Sequence, residues 1–233
     1  NISSMFKTFF GTLNALYKLF TIYPDVVFGK GGYASFPIIL AARILRIPVM
    51  IHESDSAPGR VNLFAGKFAK RIAVSFKEAA TYFPMRKVAW TGQPIRIEIE
   101  KTAPREEGLE YFKFESSVPV VLILGGSQGA ELINNTIIDA LPRLVGNYQV
   151  IHQTGVRNFK MVKDQAEVVL LDNPNKSRYT CLPFLSPLAT KMAAGAATIV
   201  VSRAGSALFE IAAWGLPAVI IPVSYTHLRA HET

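Results

Sequence analysis

The sequence predicts an α/β protein made of two parallel-sheet units in series, and three observations predict it. Short runs of β-branched or aromatic residues alternate with longer helix-compatible stretches along most of the chain. The runs are continuously apolar rather than alternating in and out, as expected for strands covered by helices on both faces of a parallel sheet. A charged, aperiodic stretch at 98–117, including Lys101, Arg105, Glu106 and Glu107, divides the series in two.

Taken in order, apolar residues first fall at Met5, Phe6, Phe9, Phe10, Leu13, Leu16, Tyr17 and Phe20. This is the i, i+3/i+4 spacing of one helical face, with Ser3 or Ser4 as a cap. Strands follow at 25–28, 48–51, 72–75 and 88–90, with helical stretches such as 37–45 and 61–70 between them. Beyond the divider a second series runs through 118–124, 148–152, 179–182, 198–202 and 218–223. The expected organisation is a Rossmann-like unit at 1–97, a linker at 98–117 and a second Rossmann-like unit at 118–224. The last nine residues, 225–233, continue no periodicity and read as a foreign tail. The start, Asn1-Ile2-Ser3-Ser4, has neither an initiator Met nor a signal-peptide pattern, so the chain is expected to begin inside a longer reading frame.

Bulk properties narrow the function classes. Half of the 233 residues are apolar and 18% are charged, a globular composition. The excess of 25 Lys and Arg over 17 Asp and Glu suggests an anionic partner, whether nucleotide phosphate, nucleic acid or an acidic membrane surface. The basic residues are dispersed and no nucleic-acid reader motif is present, so no nucleic-acid partner is expected. No apolar run approaches the ~18–20 residues needed to span a bilayer. The single Cys181, inside an apolar run, offers no disulfide framework and reads as a buried small hydrophobe. His227 and His231 have the i, i+4 spacing of a zinc pair but lack a third ligand, so no metal site is expected.

Five segments carry chemistry. Gly125-Gly126-Ser127-Gln128-Gly129-Ala130 ends a strand and opens a helix, where unpaired amides and the positive end of the helix dipole can hold a diphosphate. Gly29 through Ser35, with Gly31, Gly32 and Tyr33, is a second glycine turn at a strand's carboxyl end, where open α/β sheets bind ligands. His52, Glu53 and Asp55 place acid/base groups at a strand end, although a satisfied histidine and a capping carboxylate would look the same. Gly92-Gln93-Pro94-Ile95-Arg96 offers one arginine, which could equally be a solvated charge. Ser202 through Pro217 sets Gly205, Ser206 and Ala207 in a turn and Glu210 in the helix after it; a carboxylate there can accept two ribose hydroxyls.

Together and in this order, the five segments resemble the MurG family of the nucleotide-sugar-dependent GT-B superfamily, from about Phe6 to Val223. The resemblance implies two Rossmann-like domains, both incomplete here, that enclose a cleft. It implies inverting transfer of N-acetylglucosamine from UDP-N-acetylglucosamine to the 4-hydroxyl of undecaprenyl-diphosphoryl-N-acetylmuramyl-pentapeptide, in peptidoglycan synthesis at the cytoplasmic face of the bacterial inner membrane. No cofactor is required, with Mg²⁺ as an optional helper. The residues implied on the donor side are Asp55, Arg96, Gly126, Ser127, Gln128, Phe184, Leu185, Gly205, Ser206, Ala207 and Glu210. Gly31, Gly32 and Tyr33 fall on the acceptor side, and His52 and Glu53 are catalytic candidates.

Asp55 stands where the family has Asn, and the loop before Glu210 is about one residue short. The family's amino-terminal loop bearing the favoured catalytic base, and its Gln-rich donor motif, do not occur in the sequence; the isolated chain is therefore expected to be inactive. Phe6, Phe9, Phe10 and Leu13, beside Lys7 and Lys18, correspond to the family's patch that meets an anionic membrane, or else to ordinary core packing. Two alternatives stay open: another GT-B enzyme acting on a UDP-sugar, such as a glycolipid glycosyltransferase or an epimerase, and a non-catalytic nucleotide-sugar-binding module.

Overall fold

Two separate parallel sheets organise the chain, which divides after Pro94 into two compact units. The computed structural model describes residues 2–125 and 130–222, with side chains from Phe6 onward.

The first unit comprises α1 (Ile2–Ile22), β1 (Val27–Gly29), α2 (Phe36–Ile44), β2 (Val49–Glu53), α3 (Arg60–Gly66), β3 (Arg71–Val74), α4 (Lys77–Ala80) and β4 (Val88–Trp90). The strands pair in the order β1-β2-β3-β4, all parallel, with Ile51 opposite Ile72 and Val74 opposite Trp90. Val27, Ile39, Val49, Ile51, Ile72, Val74 and Phe83 make its core. A Cβ on Gly66 would lie 2.6 Å from the Phe83 ring, so the bare α-carbon there lets that ring close the core. In α1 the inward side is Thr12, Ala15 and Leu19, whereas Phe6, Phe9, Phe10, Leu13, Tyr17 and Phe20 are exposed. Among the described residues, no helix is long and apolar enough to cross a membrane.

The second unit comprises a short 3₁₀ turn at Ile97–Ile99, then α5 (Arg105–Phe112), β5 (Val120–Leu124), α6 (Glu131–Asn147), β6 (Gln149–Gln153), α7 (Phe159–Val169), β7 (Tyr179–Leu182), α8 (Pro187–Ala196), β8 (Ile199–Arg203), α9 (Ala207–Trp214) and β9 (Ala218–Ile221). The strand order is β7-β6-β5-β8-β9, again all parallel. All five residues of β5 are buried, and they alternate between two cores. Val120, Leu122 and Leu124 pack with Leu109, Ala193 and Ile211 on one face, while Val121 and Ile123 pack with Ile133 and Val150 on the other. Helices on both faces account for the continuous apolar strand.

Two expectations need correction. The 98–117 stretch is not a free linker: it holds α5, which packs intimately on α8. A Cβ on Gly108 would lie 2.5 Å from the Met192 carbonyl oxygen, and one on Gly195 would collide with the Ala103 carbonyl. The charges of Glu106 and Glu107 face solvent while Gly108 and Leu109 turn inward. Cys181, expected in the interior, is only half-buried, because β7 is an edge strand. The 225–233 tail lies outside the described residues.

Candidate functional site

Chain direction sets the place of the site. From β5 the chain proceeds through α6 to β6 on one side of the sheet, and from β8 through α9 to β9 on the other, so the connections part between the adjacent strands β5 and β8. Open parallel sheets form ligand crevices at such a point, beyond the strands' carboxyl ends. A cavity of about 570 Å³ lies there, lined by Leu124 and Gly125 at the end of β5, Phe184 and Leu185 after β7, residues 202–207 from the end of β8 into the turn that follows, and Arg96, Glu210 and Trp214. That size suits a small-molecule ligand, for which ~300–1,000 Å³ is usual.

Each wall has a local cause. Leu185 is 2% exposed and anchors its turn, with its carbonyl accepting from Thr190 Oγ1 at 3.3 Å, while the preceding Phe184 stays half-exposed over the cavity. Ser186 caps α8, its Oγ accepting from the Ala189 amide at 3.2 Å. Gly205 and Ser206 are exposed where β8 gives way to α9, and Ala207 is half-buried. Arg96 Nη2 donates to Glu210 Oε1 at 3.4 Å, across 114 positions of sequence. The Ile97–Ile99 turn holds the arginine there, because Ile99 is fully buried and its carbonyl accepts from Trp214 Nε1 at 2.7 Å on α9. With side chains 47% and 20% exposed, the Arg96–Glu210 pair contributes about 0–1 kcal/mol to stability, so its consequence is chemical. It sets a cation and a carboxylate side by side in the cavity wall.

Arg96, Phe184, Leu185, Gly205, Ser206, Ala207 and Glu210 are thus brought together. Gly126, Ser127 and Gln128 lie outside the described residues. Gln153, Thr190 and Ser202 also line the cavity and were missed. Ser202 opens the fifth segment without having been singled out, whereas no motif marks Gln153 or Thr190, which only the position of strand tips could have found.

In the first unit, His52 and Glu53 are 2% and 3% exposed. His52 Nε2 lies 3.0 Å from the Gly92 carbonyl and 3.4 Å from Ser75 Oγ. Glu53 accepts from the amides of Asp55 at 3.0 Å and Gly59 at 3.3 Å, and from Asn62 Nδ2 at 2.8 Å. Both are engaged in internal bonds: Glu53 ties down the 54–59 loop, and His52 links β2 to Gly92 and Ser75. Asp55 is an exposed residue of that loop in the first unit. Partial desolvation, and secondarily the Glu53 charge, raise its carboxyl above the ordinary 3.8. Gly31 and Gly32 have φ of 82° and 79°, and a Cβ on Gly31 would meet Asn62 Nδ2 at 2.8 Å, which explains the glycines of this turn. Tyr33 beside them is exposed and its hydroxyl is bonded to that of Thr8. Among the described residues, no three His, Cys, Asp or Glu side chains gather where they could share a metal ion.

Two parallel α/β units, with a ligand-sized crevice at the strand tips of the second, define a GT-B-type architecture. Residues 1–74 match the glycosyltransferase family 28 N-terminal domain and residues 120–232 match the glycosyltransferase family 28 C-terminal domain. The chain belongs to glycosyltransferase family 28. It is 38% identical over 227 residues to the UDP-N-acetylglucosamine–N-acetylmuramyl-(pentapeptide) pyrophosphoryl-undecaprenol N-acetylglucosamine transferase 2 of Bacillus cereus, covering 96% of this chain and 60% of that protein. It is 36% identical to the corresponding transferase of Staphylococcus epidermidis, covering 100% and 62%. The chain therefore spans about three fifths of the length of these relatives.

Among solved structures, Acinetobacter baumannii MurG superposes with a TM-score of 0.65 at 29% identity, covering 97% of this chain and 61% of that one. A UDP-GlcNAc 2-epimerase from Neisseria meningitidis superposes at 0.67 with 16% identity, covering 96% and 66%, which shows a shared fold.

Proposed function

We propose that the second unit's crevice holds UDP-N-acetylglucosamine, and that the whole protein transfers its N-acetylglucosamine to the 4-hydroxyl of undecaprenyl-diphosphate-linked N-acetylmuramyl-pentapeptide. The observation that carries this reading is the convergence of Arg96, Gly125, Phe184, Leu185, the 205–207 turn and Glu210 on one cavity at the β5/β8 switch point. A nucleoside diphosphate has parts that match these walls. The base fits against Phe184 and the Leu185 backbone, the ribose hydroxyls donate to the Glu210 carboxylate, and Arg96 offers charge to the diphosphate. The relatives' names describe this transfer, and their 36–38% identity favours it over the epimerase chemistry named for neighbours at 16% identity or less.

In this reaction the acceptor oxygen attacks C1 of the sugar from the side opposite UDP, the C1–oxygen bond to UDP breaks, and the hydroxyl proton passes to a base. Negative charge grows on the departing diphosphate, where fixed donors stabilise it more than in the ground state. No cofactor is required in this reading, and Mg²⁺ is an optional ligand of the diphosphate. The aromatic face of α1, with Lys7 and Lys18, serves as a peripheral contact with anionic lipid at the cytoplasmic side of the membrane that holds the acceptor.

Isothermal calorimetry with UDP tests the donor half. The wild-type chain binds UDP, and Glu210→Gln weakens it about tenfold by removing a charged acceptor while leaving the fold intact. Equal affinity in the two proteins would overturn the assignment.

A further inference from the structure

Behind the crevice lies a buried polar chain that the donor reading does not use. His152, near the carboxyl end of β6, is fully buried, as is Asn134 in the first turn of α6. Asn134 Nδ2 donates to the Thr154 carbonyl at 3.1 Å, which fixes the amide orientation and leaves Oδ1 as an acceptor. His152 Nε2 lies 3.1 Å from that Oδ1, so it must carry a proton and donate. Burial lowers the His152 pKa to about 4, so the ring is neutral and Nδ1 keeps a lone pair. Tyr179 Oη, 2.9 Å away, donates to it, and burial raises the tyrosine's own pKa so that the hydroxyl stays protonated. One tautomer satisfies every contact: Tyr179 to His152 to Asn134, with Asn134 closing on Thr154.

This chain ends at the crevice floor. The Gly125 amide donates to the Gln153 carbonyl at 3.0 Å, between the two β6-end residues that Asn134 engages, and both Gly125 and Gln153 line the cavity. A Cβ on Gly125 would lie 2.8 Å from that carbonyl, with Asn134 Oδ1 next to it at 3.6 Å, so the glycine is wedged against the carbonyl and adjoins the Asn134 side chain. The end of β5 and the start of α6 are thereby tied to the same three residues, 152–154.

We propose that Tyr179, His152 and Asn134 are positioning residues whose fixed donor order sets Gly125 and the start of α6 at the crevice floor, and so sets the affinity for a nucleoside diphosphate. The inference rests on the donor-site reading. None of the three lines the crevice, and buried networks of this kind hold a single geometry because every alternative orphans a polar atom.

The test measures UDP affinity by calorimetry, and His152 by ¹⁵N NMR, on the full chain. Wild type shows a neutral Nε2–H imidazole from pH 8 down to about pH 5. Asn134→Ala, with native circular dichroism, weakens UDP binding about tenfold, the equivalent of one or two net hydrogen bonds, and speeds hydrogen exchange of the Gly125 amide while sparing that of Leu122. Asn135→Ala, on the neighbouring exposed position, leaves both unchanged. Should Asn134→Ala fail to fold, Tyr179→Phe keeps the ring, removes the hydroxyl donor and produces the same two changes in smaller degree.

UDP affinity within twofold of wild type in a folded variant would overturn the proposal, as would an Nδ1–H tautomer in wild type. Failure of wild type to bind UDP at all, with the tautomer as stated, would instead remove the donor reading and this inference with it.

Discussion

Replacing His152 with Gln should flatten the pH dependence of the second unit's stability. In the folded unit burial lowers the imidazole pKa from 6.5 to about 4, whereas in the unfolded chain it titrates near its ordinary value. Between the two values the unfolded chain binds more protons, so falling pH favours unfolding. The stabilising difference is intact above about pH 6.5, is lost progressively on acidification, and is exhausted below about pH 4. At about 1.4 kcal/mol per pH unit the full effect is roughly 3 kcal/mol, of which about 2 kcal/mol is lost between pH 7 and pH 5. Gln can still donate to Asn134 Oδ1 but cannot take up a proton. Urea unfolding followed by Trp214 fluorescence in a Trp90→Phe background, at both pH values, gives the comparison. Wild type should lose about 2 kcal/mol more than His152→Gln between them; equal losses would refute the neutral, buried histidine and the donor order built on it.

Other perturbations follow from single contacts. Gly195→Ala drives a Cβ into the Ala103 carbonyl, and should lower the second unit's unfolding free energy by about 1–3 kcal/mol in thermal or urea denaturation. Glu53→Ala leaves the Asp55 and Gly59 amides and the Asn62 amide without their acceptor; it should destabilise the first unit by about 1–3 kcal/mol without changing UDP affinity. Phe9→Ser removes an exposed ring from α1 and should reduce flotation with anionic liposomes while leaving the melting temperature within a degree or two, since the ring packs on no core.

The strands and their parallel pairing were legible because helices cover both faces, which forces unbroken apolar runs such as 120–124. The helix α5 was not: its only fully buried positions are Gly108 and Leu109, with Phe112 partly buried on the same core, and three glutamates among eight residues mask so narrow a stripe. Arg96 and Glu210 were each nameable from their motifs, but their pairing spans 114 positions and exists only once β8, α9 and the Ile97–Ile99 turn are assembled. The surroundings of His52 and Glu53 were not legible for a related reason. On a strand buried from both sides every side chain turns inward, and a titratable pair at its end looks the same whether it faces a ligand or a loop. The network around His152 carried no sequence signal, since a histidine in an apolar run becomes informative only beside its partners.

The strand tips of the second unit are proposed to form a nucleoside-diphosphate site. Titration of ¹⁵N-labelled chain with UDP tests it most directly. Amide shifts are predicted to cluster at Leu124, Gly125, Leu185, Gly205, Ser206 and Ala207, and to saturate together. Shifts confined to the first unit, or scattered without saturation, would contradict it.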